Sequence, residues 1–119
     1  MSATHYNESS WNYRITEKRQ VTVKAKNHRV RKISVVDVLT GLPFPLEAAE
    51  NFPLESLEVE KAYLATVRIY TLKKVEGVKR DFVEFFEVLD VDQSAEDFIK
   101  AFWLYPNYIR FELVEMEPL

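Results

Sequence analysis

The chain has 119 residues, 47% hydrophobic and 13% aromatic, which suits one domain with a modest core and differs from the composition of a disordered protein. Its 16 basic and 19 acidic side chains leave a net charge of −3, and the absence of cysteine excludes disulfides and thiolate metal sites. No apolar run reaches the ~20 residues of a membrane span, and the start lacks a signal-peptide pattern, so a soluble cytoplasmic protein is expected.

Positive and negative charges are concentrated in different parts of the chain. Residues 14–32 carry eight basic side chains and one acid, a local charge of +7. Residues 83–119 carry nine acids and two basic side chains, a local charge of −7. This separation indicates that one part of the folded molecule attracts a polyanion while another part repels it.

The chain reads as one domain with polar ends. Residues 1–12 are expected to form a flexible segment, residues 13–115 a single β-rich domain, and residues 116–119 a short acidic end. Near the start, Trp11 and Tyr13 are expected to begin the first strand and to pack on the core. A nucleic-acid-stacking arm is the less favoured alternative.

Clean alternation of apolar and polar residues follows from Gln20 to Lys26. It predicts a half-buried strand with three residues on the core face, namely Val21, Val23 and Ala25. The opposite, solvated face would then carry Thr22, Lys24 and Lys26.

A two-residue turn at Asn27 and His28 is expected to lead into a second strand, Val30–Leu39. The register that follows places basic side chains opposite one another, Lys26 with Arg29 and Lys24 with Arg31. Like charges in these positions destabilise a hairpin slightly, and a protein tolerates that more readily when an anion binds there.

The next segment is rich in turn signals. Asp37–Gly41 ends the second strand, with Gly41 suited to a positive φ. Pro43 and Pro45 restrict the following residues to a short edge strand or a loop. Leu46–Asn51 is expected to form a single helical turn before the next proline.

Lys61–Lys73 and Lys79–Val91 are expected to form a long β-hairpin. The core face of its first arm collects Ala65, Val67, Ile69 and Thr71. The other face is mixed and includes Arg68, Tyr70 and Phe85. Burial of the two aromatic residues beneath a helix is favoured, with exposure as the alternative.

A helix is predicted near residues 94–103, because Ser94 and Asp97 have the spacing of a capping box before an apolar run. Alternation then returns over Tyr108–Val114, which predicts a last strand. The remaining residues, Glu115–Leu119, are expected to be frayed.

In order, these elements are a basic strand, a second strand ending in Asp-x-x-Thr-Gly, a proline-bounded third strand, a helical turn and a long hairpin. The arrangement resembles the five-stranded OB barrel of single-stranded nucleic-acid-binding proteins, over roughly Glu17–Val91, with the helix and last strand as an extension. The expected fold is therefore mainly β with one C-terminal helix. It is either an OB-like five-stranded barrel or an open antiparallel sheet packed by the helix.

Single-stranded nucleic acid is bound by basic grooves that track phosphates and by aromatic faces that stack bases. The candidate nucleic-acid-binding residues come from the two hairpins and the second hairpin's tip: Lys24, Lys26, Arg29, Arg31, Lys32, Arg68, Tyr70, Phe85, Lys73, Lys74, Lys79 and Arg80. A plainly solvated basic face is the competing interpretation.

Catalysis and metal binding have little support in the residue pattern. The chain has two histidines, His5 and His28, far apart in sequence, and no cysteine or serine in a nucleophile motif. No catalytic residue, metal site or cofactor is therefore predicted.

The first functional hypothesis is a non-catalytic module that binds single-stranded DNA or RNA with little sequence preference. The alternative is a protein-interaction or structural subunit, in which the basic hairpin of one copy meets the acidic half of another to form a homodimer or larger complex.

Overall fold

The computed structural model describes residues 11–72 and 94–119. These residues form five β-strands and one α-helix: β1 (Trp11–Asn27), β2 (Lys32–Asp37), β3 (Pro43–Ala48), β4 (Ala62–Leu72), α1 (Ala95–Phe102) and β5 (Ile109–Pro118). A short 3-10 turn at Leu54–Ser56 lies between β3 and β4. The expectation of a mainly β fold with one C-terminal helix and a five-stranded sheet is confirmed.

The strands close into a barrel in the order β1-β2-β3-β5-β4. Strands β1 to β3 form an antiparallel meander, and β4 returns beside β1, which is the order of a Greek key. Strand β5 fills the remaining gap, antiparallel to β4 and parallel to β3. The parallel contact is short, since it pairs Glu47 with Glu112 and Ala48 with Leu113.

Three β-bulges bend the strands into this ring. The register shifts leave one extra residue in each case: Arg14 and Lys24 in β1, and Val114 in β5. A bulge increases local twist and bends its strand, so it supplies the curvature that a glycine would otherwise provide. The chain can therefore close a barrel although it contains two glycines.

The core lies inside the barrel and is built from alternate residues of every strand. It includes Val21 and Val23 of β1, and Ile33 and Val35 of β2. In β4 the predicted core face is confirmed, because all four of its residues are buried: Ala65, Val67, Ile69 and Thr71.

Helix α1 packs against this core, and its start is held from two sides. The Ser94 hydroxyl accepts a hydrogen bond from the Asp97 amide, and the Asp97 carboxylate accepts one from the Ser94 amide, which confirms the capping box. The Ala95 amide donates to Glu17 of β1 at 2.8 Å. Phe98 is fully buried in the core cluster. Within residues 11–72 and 94–119, no helix is long and apolar enough to cross a membrane.

Several predicted boundaries are wrong. Strand β2 covers Lys32–Asp37, which is shorter than the predicted Val30–Leu39, whereas β1 begins at Trp11, where the first strand was expected. The helical turn predicted over Leu46–Asn51 is absent, since β3 continues to Ala48 and the 3-10 turn forms after Pro53.

The C-terminal part also differs from the prediction. Strand β5 runs to Pro118 and pairs with β4, so these last residues are not frayed. Because β5 closes the ring, it belongs to the barrel and is not an extension of it. The hairpin arm expected over Lys79–Val91 lies outside the described residues, as do residues 1–10.

Candidate nucleic-acid interface

The first hairpin closes through a four-residue loop, residues 28–31. Asn27 pairs with Lys32 across the hairpin, and Lys26 pairs with Ile33. The side-chain oxygen of Asn27 accepts hydrogen bonds from the amides of Arg29 (3.1 Å) and Val30 (3.4 Å), which holds the loop. The predicted turn and the opposed pairs of basic residues are therefore wrong.

The bulge at Lys24 reverses the faces of the residues that follow it. Ala25 pairs with the exposed Ser34, whereas Lys26 pairs with the buried Ile33. A single extra residue moves every later side chain of a strand to the other face. Lys26 is therefore turned away from the predicted basic surface.

The lysines on either side of Ala25 each have a partner within the chain. The Lys26 ammonium donates a hydrogen bond to the backbone oxygen of Leu57. The Lys24 ammonium pairs with Glu60 at 3.0 Å. Each of these two ammonium groups therefore already donates a hydrogen bond within the chain in the absence of a ligand.

Arg31 is also drawn inward. Its backbone is left-handed, with φ at 53°, and its guanidinium donates to the backbone oxygens of Ala49 and Phe52. Its Nε atom is buried and has no hydrogen-bond partner among residues 11–72 and 94–119. This arginine ties the loop to the segment after β3 and does not extend into solvent.

Arg29 and Lys32 remain on the surface. Both are exposed, and neither side chain has a hydrogen-bond or ion-pair partner among the residues that the structure describes. Of the five basic residues predicted in this hairpin, these two are the ones presented freely.

A broader basic surface is formed by three neighbouring strands, β2, β1 and β4. We call it the outer wall and define it by the outward-facing residues Tyr13, Thr16, Lys18, Gln20, Thr22, Ala25, Asn27, Lys32, Ser34, Val36, Ala62, Leu64, Thr66, Arg68 and Tyr70. The three strands contain two acids, Glu17 and Asp37. Glu17 caps helix α1, and Asp37 is fully buried, so the outer wall itself carries no carboxylate.

The remaining two strands of the ring, β3 and β5, border the outer wall and are acidic. The outward positions of β3 and β5 carry Glu47, Glu112, Glu115 and Glu117. Their one basic neighbour on these strands, Arg110, pairs with Glu47 at 2.9 Å. Charge is thus segregated around the barrel, with the outer wall positive and the β3–β5 face negative.

Two tyrosines lie at one end of the outer wall. Tyr13 pairs across the strands with Tyr70, and their rings meet edge to face with centroids 6.0 Å apart. The Arg110 guanidinium lies 6.0 Å from the centroid of Tyr70, within the range of a cation–π contact. The Tyr13 hydroxyl is 2.9 Å from the Thr16 hydroxyl, which fixes the ring's position.

Arg68 lies beside Tyr70 on β4, at the border between the outer wall and β5. Its guanidinium donates a hydrogen bond to Glu112 at 3.2 Å. The pKa of Arg68 is raised, first by the hydrogen bond with the Tyr70 side chain and more weakly by the charge of Glu112. The cation is therefore permanently charged and is held beside the tyrosines.

The expectation that the helix covers Tyr70 is wrong. Tyr70 is half-buried on the outside of β4, against Tyr13 and Arg110. The apolar residues of α1 join the interior cluster instead, and that cluster does not include Tyr70. The other predicted residues lie outside the described part of the chain: Lys73, Lys74, Lys79, Arg80 and Phe85.

Sequence reasoning did not select three residues that the fold brings to this surface or its border. Tyr13 was expected in the core but is 56% exposed. Lys18 belongs to the basic stretch, and it becomes an outer-wall residue because β1 extends through it. Arg110 could be found only from the pairing of β5 with β4, since it lies forty residues after Tyr70.

No metal centre is evident in residues 11–72 and 94–119, where no group of three or more His, Cys, Asp or Glu side chains is placed to bind an ion. His28 is exposed in the hairpin loop. Comparison of the chain with protein-family models, curated proteins and solved structures found no match.

Proposed function

We propose that the protein is a non-catalytic module that binds single-stranded nucleic acid, with little sequence preference, along the outer wall. The observation that carries the proposal is the absence of carboxylates from the outward faces of β2, β1 and β4. A surface that lacks acids repels a phosphate chain less than the acid-bearing strands β3 and β5 do.

The chemistry of such a surface is phosphate binding by cations. Lys18 and Lys32 lie on different strands of the wall, exposed and without an ion-pair partner in the described residues. Arg29 stands beside them in the hairpin loop. Each phosphate neutralised by such a cation releases counterions, so binding weakens as salt increases.

The architecture supports the same proposal. A five-stranded Greek-key barrel is the framework of OB domains, which bind oligonucleotides on their strands and connecting loops. The basic loop of the first hairpin lies at one end of the outer wall. The tyrosine pair lies at the other, because β1 runs from Tyr13 to Asn27 between them.

The test is binding of a labelled single-stranded oligonucleotide, measured by fluorescence anisotropy at several salt concentrations. The wall variant combines Lys18→Gln and Lys32→Gln. At 0.1 M salt each phosphate contact contributes about fivefold to single-strand affinity, so this variant should bind about 25-fold more weakly. The slope of log K against log salt should fall in magnitude by about 1.4.

A matched control lowers the net charge equally but leaves the wall intact. Lys61→Gln with Lys100→Gln removes two cations that pair with Glu58 and Glu96 and are not among the outward-facing residues that define the wall. This control should keep the affinity and the salt slope of the unaltered protein. Equal weakening in both variants would show that net charge and not the outer wall governs binding, and would refute the proposal.

A second function is supported by the charge segregation itself. The outer wall of one molecule and the acidic β3–β5 face of another are complementary, so head-to-tail self-association is the competing proposal. Glu115 and Glu117 are exposed there and have no ion pair among the described residues.

Sedimentation at low and high salt distinguishes the two functions. Self-association predicts an oligomer that dissociates with salt and is weakened by Glu115→Gln with Glu117→Gln, in the absence of any oligonucleotide. A molecule that stays monomeric at every concentration and binds oligonucleotide normally with this substitution would refute self-association.

A further inference from the structure

We infer that Tyr13, together with Tyr70, forms a stacking site for an unpaired nucleobase at one end of the outer wall. The inference rests on the proposed function and specifies which part of the ligand this end of the wall takes. Phosphates would contact the cations further along β1, while a base would lie on the tyrosine ring.

The geometry of the pair leaves aromatic surface open. In an edge-to-face contact, the edge of one ring covers one face of the other, so the contact between the two tyrosines covers at most one of their four ring faces. Tyr13 is 56% exposed, which is high for an aromatic residue inside a strand. At least one face of its ring is therefore not covered by Tyr70.

The ring is also held in place before any ligand binds. Its hydroxyl is hydrogen-bonded to Thr16 at 2.9 Å, and Tyr70 is flanked by Arg110 on the neighbouring strand. A fixed aromatic side chain loses little conformational entropy when a ligand stacks on it. The site is thus pre-organised by β1, β4 and β5 together.

Cations lie in the two rows of the outer wall that follow the tyrosine pair. Thr16 pairs with Arg68, and Lys18 pairs with Thr66, in the rows next to the tyrosines. Alternate residues of a strand are spaced by about 6.7 Å, so these rows follow the tyrosines at the scale of one nucleotide. No carboxylate lies between them on the wall.

A stacking site distinguishes single strands from duplexes. The bases of a duplex stack on one another and present only their edges in the grooves, whereas an unpaired base offers its face. The ligand class is therefore a nucleic acid with at least one unstacked base, DNA or RNA, of any sequence.

The experiment compares an oligothymidine with an oligonucleotide of equal length and charge that has abasic sites throughout. Binding to each is measured by anisotropy for the unaltered protein, Tyr13→Ala and Tyr13→Phe. A stacked base contributes the equivalent of about 5-fold to 150-fold in affinity. The unaltered protein should prefer oligothymidine by about that factor.

The two substitutions should distinguish the contribution of the Tyr13 ring to base binding from that of its hydroxyl. Tyr13→Ala should lose the preference for oligothymidine and keep its affinity for the abasic strand, while Tyr13→Phe should retain the preference. Equal affinity of the unaltered protein for both strands, or equal weakening of both by Tyr13→Ala, would overturn the stacking site and leave the phosphate-binding wall intact. Failure of the unaltered protein to bind either strand would overturn the proposed function as well.

Discussion

The buried charge of Asp37 holds together the first two strands and the turn that follows them. Its carboxylate accepts two hydrogen bonds from Arg19, at 2.9 and 2.8 Å, and two from Thr40, at 2.9 and 2.7 Å. Burial alone would raise the pKa of Asp37, but the hydrogen bonds from Arg19 and Thr40 outweigh it and the pKa is lowered. The hydrogen bond with Asp37 likewise raises the pKa of Arg19.

Asp37→Asn should destabilise the protein strongly. Removing one partner of a buried ion pair leaves the other charge uncompensated, at a cost of about 3–5 kcal/mol. Urea denaturation followed by circular dichroism would measure the loss. Glu60→Gln, which removes the partner of the exposed Lys24, should cost at most about 1 kcal/mol. Similar losses in the two variants would contradict the structural role assigned to Asp37.

The same carboxylate predicts how stability changes with pH. Because the folded state lowers the pKa of Asp37 below its ordinary value of 3.8, the unfolded state binds the proton more readily. The ionised Asp37 carboxylate contributes fully to the free energy of unfolding above about pH 5. This contribution is lost as the pH falls through the folded-state pKa. Unfolding free energies measured between pH 2 and 7 should show this loss, and Asp37→Asn should reduce it. An unchanged acid dependence in that variant would refute the assignment.

At the scale of elements, the start of helix α1 is fixed by local hydrogen bonds. Ser94→Ala removes the hydroxyl that accepts from the Asp97 amide and should cost about 1 kcal/mol of unfolding free energy. Ser94→Thr keeps a capping hydroxyl and should retain most of the stability. Urea denaturation of both variants checks this expectation, and equal losses would show that the cap does not stabilise the helix.

Elements with strong local signals were predictable from the sequence. The capping spacing of Ser94 and Asp97 identified α1, and the alternation of β4 identified its core face. The turn at Asp37–Gly41 was also predictable, because glycine readily adopts a positive φ. Gly41 has a φ of 74° in the structure.

Features that depend on pairing between distant strands were not predictable. The alternation of apolar and polar residues around Lys24 gives no sign of a bulge. That one extra residue nevertheless places Ala25 on the outer face of the barrel and Lys26 on the inner face. Closure of the ring by β5 depends on its contact with β3, more than sixty residues earlier. These pairings are set by the packing of the whole barrel and have no local sequence signature.

For the molecule as a whole, the sequence predicted the separation of charge but not its geometry. The basic stretch of residues 14–32 does supply the outer wall, although two of its side chains, Lys26 and Arg31, are bound to backbone oxygens. Part of the acidic stretch lies on β5, across the barrel from β1. The candidate interface is therefore one face of three strands, β2, β1 and β4, whereas the predicted residues came from two hairpins.

Mapping the bound surface by nuclear magnetic resonance tests the central claim most directly. Backbone and side-chain chemical shifts would be followed while a single-stranded oligonucleotide is added to the unaltered protein. The largest changes should fall on the outer wall, at Tyr13, Lys18, Lys32 and Arg68, with smaller changes at Glu115 and Glu117 on the neighbouring strand β5. Changes concentrated on β3 and β5, or spread evenly over the barrel, would contradict the outer wall as the nucleic-acid interface.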